Sequence, residues 1–207
     1  MPSRLLMFFV GLGCVAFGVA VTTKALLGTT PIAAVPYSLS LFFPSVSFGT
    51  CVIAFNLALV AVEWALLRGR IRFWAILLQA FLTCIFGSCV DLSMLALTGL
   101  DPVSYAARAL WVAVGSVLIG VGAFLTIRAN VAVLPYDGFV LALATVSAKD
   151  FARLRMIWDI VFSLVALLLC WLVLDDLAGV REGTILASLL TSPTIRLLMR
   201  LSRRAEA

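Results

Sequence analysis

Histidine is absent from this chain, and only 12% of its residues are charged. The first absence removes the commonest metal ligand and the commonest general base. The second removes the polar shell of a soluble domain, where about 25% of residues are charged. Cysteine is sparse and unpaired in pattern. Cys14, Cys51, Cys84, Cys89 and Cys170 all lie in apolar stretches, none forms a CxxC pair, and their number is odd. They read as small packing residues with no disulfide framework. No HExxH, GxSxG or phosphate-loop pattern occurs, so neither metal nor cofactor is expected, and a membrane enzyme is the least supported class.

What is present is apolar. Hydrophobic residues make up 64% of the 207, and the mean hydropathy is +1.19. A fold of this size has too little interior to hide so much apolar surface from water. The chain reads as an all-α polytopic membrane protein whose main partner is the lipid bilayer. Net charge is +5, but the basic residues flank apolar runs and form no basic face, which argues against nucleic-acid binding.

Six runs approach the ~20 residues that cross a ~30 Å hydrocarbon layer. They cover 5–23, 50–67, 73–97, 109–127, 156–174 and 184–201. Ser192-Pro193 and Arg196 interrupt the last. Two further apolar segments, 31–43 and 135–146, are too short to cross. Each opens on a proline, Pro31 or Pro135, which suits the first turn of a helix. Each is expected to be a short interfacial or re-entrant helix. The first run follows Arg4 and contains Leu12-Gly13-Cys14. Its length, and its recurrence in the second half, favour a retained span over a cleaved signal.

Arginine and lysine placement gives an orientation. Arg4, Arg68, Arg70, Arg72, Lys149, Arg153, Arg155, Arg200, Arg203 and Arg204 fall on one side. Lys24, Asp101, Arg108, Asp175, Asp176, Arg181 and Glu182 fall on the other. Both termini are expected in the cytoplasm, in a bacterial inner membrane.

A shift of 104 residues superposes the two halves without gaps. Gly11 meets Gly115, Gly18 meets Gly122, Thr22 meets Thr126, Lys24 meets Arg128, and Pro31 meets Pro135. The chain reads as one transmembrane domain of two units, about 5–100 and about 109–204, each with three spans and one short helix. A unit with three crossings delivers its copy to the membrane upside down, which is the inverted 3+3 repeat of many secondary transporters. Gly11, Gly18 and Thr22, like Gly115, Gly122 and Thr126, lie on one face of a helix. Small stripes let membrane helices approach closely, so spans one and four are expected to pack by these faces.

Several charged and polar residues are candidates for a site. Lys24 and Arg128 each end a span before a proline-started helix. Either they are anchors reaching for headgroups, or they reinforce an anion site at the helix N-terminus. Glu63, Asp91 and Asp159 lie inside spans, where an ionised group needs a partner or water. Asp91 is a candidate partner for Lys24; Asp159, Glu63 and Asp137 are candidates for Arg128. Arg155, four residues before Asp159, offers a local helix pair instead. Asn56, Gln79, Tyr37 and Tyr136 are candidates to line a polar cavity.

Lys24-Ala25-Leu26-Leu27-Gly28-Thr29-Thr30-Pro31, followed by Ser47-Phe48-Gly49-Thr50, resembles the first-helix motif of the YczE/YyaS/YitT-type bacterial membrane proteins, most closely the YczE-like branch. Arg128-Ala129-Asn130-Val131-Ala132-Val133-Leu134-Pro135-Tyr136-Asp137 resembles the same motif in the second half, and Gly183-Thr184-Ile185 the start of the last helix. Where that motif has an acid after the alanine, this chain has Leu26 and Asn130; Ala132 stands for the glycine of the second copy. The resemblance implies a multi-span protein of the cytoplasmic membrane and carries no substrate. A small transporter or permease for an anionic or zwitterionic solute is the leading expectation. A non-transporting accessory of a larger complex, packed at its centre and without a cavity, is the alternative. A homo-oligomer is compatible with either.

Overall fold

The computed structural model describes residues 2–67, 72–100, 102–174 and 181–206. Among these there are eight helices and no strand: α1 (Pro2–Lys24), α2 (Pro31–Phe42), α3 (Phe48–Leu67), α4 (Phe73–Ala96), α5 (Tyr105–Ala129), α6 (Pro135–Ser147), α7 (Phe151–Leu174) and α8 (Glu182–Glu206). Arg68, Arg70, Asp101, Asp175 and Asp176, used above for orientation, lie outside the described residues.

Local chemistry sets the boundaries. Pro31 and Pro135 occupy the first turns of α2 and α6, where a missing N–H costs nothing. Ser104 caps α5 by accepting from the Ala107 N–H at 3.2 Å. α5 ends at Asn130 in the left-handed region (φ 50°), and Leu26 takes the same conformation (φ 59°) two residues beyond α1. Asparagine tolerates that region; leucine is strained there. Gly28, at φ 94°, completes the turn into α2. A Cβ there would collide with Thr184 and Arg181, so this turn lies hard against the start of α8. The Gly183 N–H donates to the Leu27 carbonyl across the same junction, at 2.8 Å.

Five helices, α1, α3, α4, α5 and α7, are long and apolar enough to cross a membrane. α2, with 12 residues, rises only about 18 Å and cannot span a ~30 Å core; α6, with 13, is no better. α8 has 25 residues but lacks the apolar window of a span, unlike the expected sixth crossing at 184–201. The reason is on its surface: Ser188, Thr191, Ser192 and Arg196 line a partly open cavity, so one side of the helix is polar.

The centre of the fold is the crossing of α1 on α5. A Cβ on Gly18 would lie 2.7 Å from the Gly115 carbonyl oxygen, and one on Gly122 would lie 2.5 Å from that of Gly11. The order is reversed along the two helices, so they run antiparallel. Thr22 and Thr126 are buried beside them, each turning its hydroxyl back to its own helix. Around this axis α4 packs on α1 and α8 packs on α5. The short helices cross over: α2 packs on α7, and α6 packs on α3. Phe139, Phe162 and Tyr136 form an aromatic core there with Ala34 and Leu59. Trp64, Trp74, Leu92, Leu168 and Trp171 point outward. In water this would be an aggregating surface; in lipid it is the solvated face.

Candidate functional site

A partly open cavity of about 360 Å³ is lined by residues of all eight helices, within the range of ligand pockets. Both short helices point their N-termini at it. Thr30, Pro31, Ile32 and Ala33 bring the start of α2 to its wall; Leu134, Pro135, Tyr136 and Asp137 bring the start of α6. Helix N-termini carry unpaired N–H groups and about half a positive charge. Two of them border one largely apolar-walled space.

The ionisable residues of the wall are Asp137, Arg155, Asp159 and Arg196. Arg155, in α7, pairs with Asp137, in the first turn of α6. Its guanidinium also lies over the Tyr136 ring, 5.3 Å from the centroid, a cation–π distance. The Tyr136 hydroxyl donates to Asp159 Oδ1 at 2.5 Å and lies 3.1 Å from the Arg155 carbonyl. The local pair expected between Arg155 and Asp159 is thus replaced by two cross-helix contacts. α6 runs beside α7, and its first turn presents both a carboxylate and a phenol to Arg155 and Asp159. Arg196 forms no ion pair among the described residues. Two cations and two carboxylates leave the wall formally neutral.

Of the residues singled out from sequence, Pro31, Asn56, Pro135, Tyr136, Asp137 and Asp159 line this cavity. Lys24, Arg128, Glu63 and Asp91 do not. Lys24 is half-buried in the last turn of α1, where a cation complements the helix C-terminus. Arg128 donates to the Ser202 hydroxyl of α8. Asp91 accepts from the Ser47 hydroxyl and the Gly49 N–H, both at 2.6 Å, so it caps α3 rather than meeting Lys24. Glu63 is 5% exposed and lies against Gly138 and Gln79; a Cβ on Gly138 would strike its carboxylate. The Gln79 amide donates to the Val133 carbonyl at 3.2 Å, which fixes the turn leading into α6. The cations at the cavity are therefore Arg155 and Arg196 in place of Lys24 and Arg128. Sequence reasoning placed Arg155 between spans four and five, as a local helix partner of Asp159, and treated Arg196 as an interruption of a span.

Thr30 was also missed. It is 7% exposed, it borders the cavity, and its hydroxyl has no hydrogen-bond partner among the described residues. It sits at the N-cap of α2 without capping it. Only its place immediately before Pro31 could have drawn attention to it.

No curated protein and no solved structure matches the chain. A family model does match, over residues 2–200, and the chain belongs to that family of unknown function, DUF6198.

Proposed function

We propose that this protein is a small transporter or permease of the bacterial cytoplasmic membrane, moving a small anionic or zwitterionic solute by alternating access between two inverted repeats. The observation that carries the reading is the partly open cavity of about 360 Å³ lined by the N-termini of both short helices. A scaffold or accessory protein has no need of such a space, and its centre would be packed. Interrupted segments whose helix ends face a central site are a recurring way to bind solutes in membranes.

The contact pattern supports the repeat. Residues related by the 104-residue shift exchange partners: Gly11 meets Gly122 while Gly115 meets Gly18. A twofold axis in the membrane plane produces that exchange. The same axis relates α1–α4 to α5–α8, and α2–α7 to α6–α3. In this reading α8 is the sixth crossing, admitted despite its polar face because that face lines the cavity. Both termini are cytoplasmic, and the motion is a rocking of one three-span unit against the other about the α1–α5 crossing.

Purified protein in liposomes, scanned on a solid-supported membrane with amino acids and organic acids, tests the reading. A saturable current or uptake for one of them, absent from empty liposomes, supports it. Absence of flux across the whole panel by protein shown to be folded supports the accessory role instead.

A further inference from the structure

The two helix ends that meet at the cavity are chemically different. α6 carries Asp137 in its first turn, so its positive end already has a carboxylate, itself paired with Arg155. α2 has no acidic residue in its first turn. Pro31 has no N–H, and the Ala33 and Ala34 N–H groups both turn back onto the Thr30 carbonyl at 2.9 Å. The Ile32 N–H is therefore the donor this end can offer outward. Beside it stands Thr30, a residue of the cavity wall whose buried hydroxyl has no partner among the described residues. An N-cap threonine ordinarily accepts from the second or third N–H of its helix; this one does not. A buried hydroxyl left unsatisfied is costly, and a ligand oxygen in the cavity would remove that cost.

We propose that the N-terminus of α2 is a carboxylate seat: the Thr30 hydroxyl and the Ile32 N–H donate to the carboxylate of an apolar-bodied solute. The body of that solute lies against Val15, Val19, Val52, Phe55, Leu82 and Ile119, which make most of the wall apolar. The inference rests on the transporter reading for the use of the cavity and names the class of solute. A simple fatty acid and an apolar amino acid share this carboxylate. They differ in an ammonium group, for which Asp159 is the acceptor on the cavity wall.

The test is thermal-shift titration of the full chain in nanodiscs with four probes of one length: hexanoate, norleucine, hexylamine and hexanol. Hexanoate or norleucine should raise the unfolding midpoint saturably, and hexylamine and hexanol should not. Protection by norleucine alone would assign the amino-acid branch. Thr30→Val keeps the shape and removes the hydroxyl. It should weaken the carboxylate probe about tenfold or more, as expected for a lost hydrogen bond to a charged group. Thr30→Ser should retain binding. Without ligand, Thr30→Val should unfold no earlier than the parent, because the hydroxyl it removes has no partner among the described residues. Equal binding by Thr30→Val and parent would overturn the seat. Protection by hexylamine or hexanol but by neither carboxylate would overturn the seat and leave the cavity as a binding site. Protection by no probe would overturn both.

Discussion

Replacing Gly122 by alanine puts a methyl group where α5 touches α1, and the structure fixes what that methyl meets. Its carbon would lie 2.5 Å from the Gly11 carbonyl oxygen and 2.7 Å from the Val15 nitrogen, against an ordinary contact of 3.4 Å or more. Both neighbours are backbone, so no side chain can turn aside. The helices must separate by about 0.9 Å, and the gap opens along the whole interface, since rigid helices cannot part at one point only. Overpacking of this kind costs about 1–3 kcal/mol, while alanine itself favours a helix over glycine by about 1 kcal/mol. Gly13, on α1, provides the reference: a Cβ there meets nothing within 4 Å. Gly13→Ala therefore carries the propensity gain alone, and the difference between the two variants isolates the crossing. Reversible unfolding in mixed micelles should place Gly122→Ala about 1–3 kcal/mol below Gly13→Ala. Gly11→Ala, which strikes the same point from the other side, should match Gly122→Ala. The pair together should cost less than their sum, because one separation accommodates both methyls. If Gly122→Ala unfolds no earlier than Gly13→Ala, the close antiparallel approach is wrong.

Three further changes read other parts of the structure. Leu26→Asn places a residue tolerant of left-handed backbone where leucine is strained, and should stabilise by about 1 kcal/mol in the same unfolding assay; a loss of stability would mean that residue 26 does not adopt that conformation. Asp91→Ala removes the acceptor of the Ser47 hydroxyl and the Gly49 N–H and should cost about 1–2 kcal/mol, as for a lost N-cap; an unchanged midpoint would show that α3 does not depend on it. Arg155→Ala and Asp137→Ala, combined in a double-mutant cycle, should show a coupling of roughly 1 kcal/mol, discounted because the arginine side chain is 41% exposed; additive effects would deny the pair.

The parts of the fold that sequence revealed are those governed by local pattern. The apolar runs predict all five helices capable of crossing to within a few residues, and the two prolines mark the starts of the short helices. The spacing of Gly11, Gly18 and Thr22, repeated in Gly115, Gly122 and Thr126, marks the faces that meet at the α1–α5 crossing. Pairings were not legible, because they depend on where a short helix comes to rest. Asp137 finds Arg155 only because α6 returns beside α7. Lys24 and Arg128 drew attention by repeating, but a repeated cation at a span end serves the helix terminus as well as it would serve a ligand. α8 falls short of a span's hydropathy because Ser188, Thr191, Ser192, Pro193 and Arg196 interrupt its apolar residues. Thr30 is marked in the sequence only by its place before Pro31; its interest lies in an unmet hydrogen bond, which only coordinates display.

The central claim, two units crossing the bilayer in opposite senses, is tested most directly by single-cysteine accessibility in intact cells, in a background from which the five native cysteines have been removed. Ser45→Cys and Gly99→Cys should react with an impermeant maleimide added outside, whereas Arg72→Cys and Lys149→Cys should react only after the membrane is opened. Labelling of positions 72 and 149 from opposite faces, or of 45 and 72 from the same face, would contradict the account.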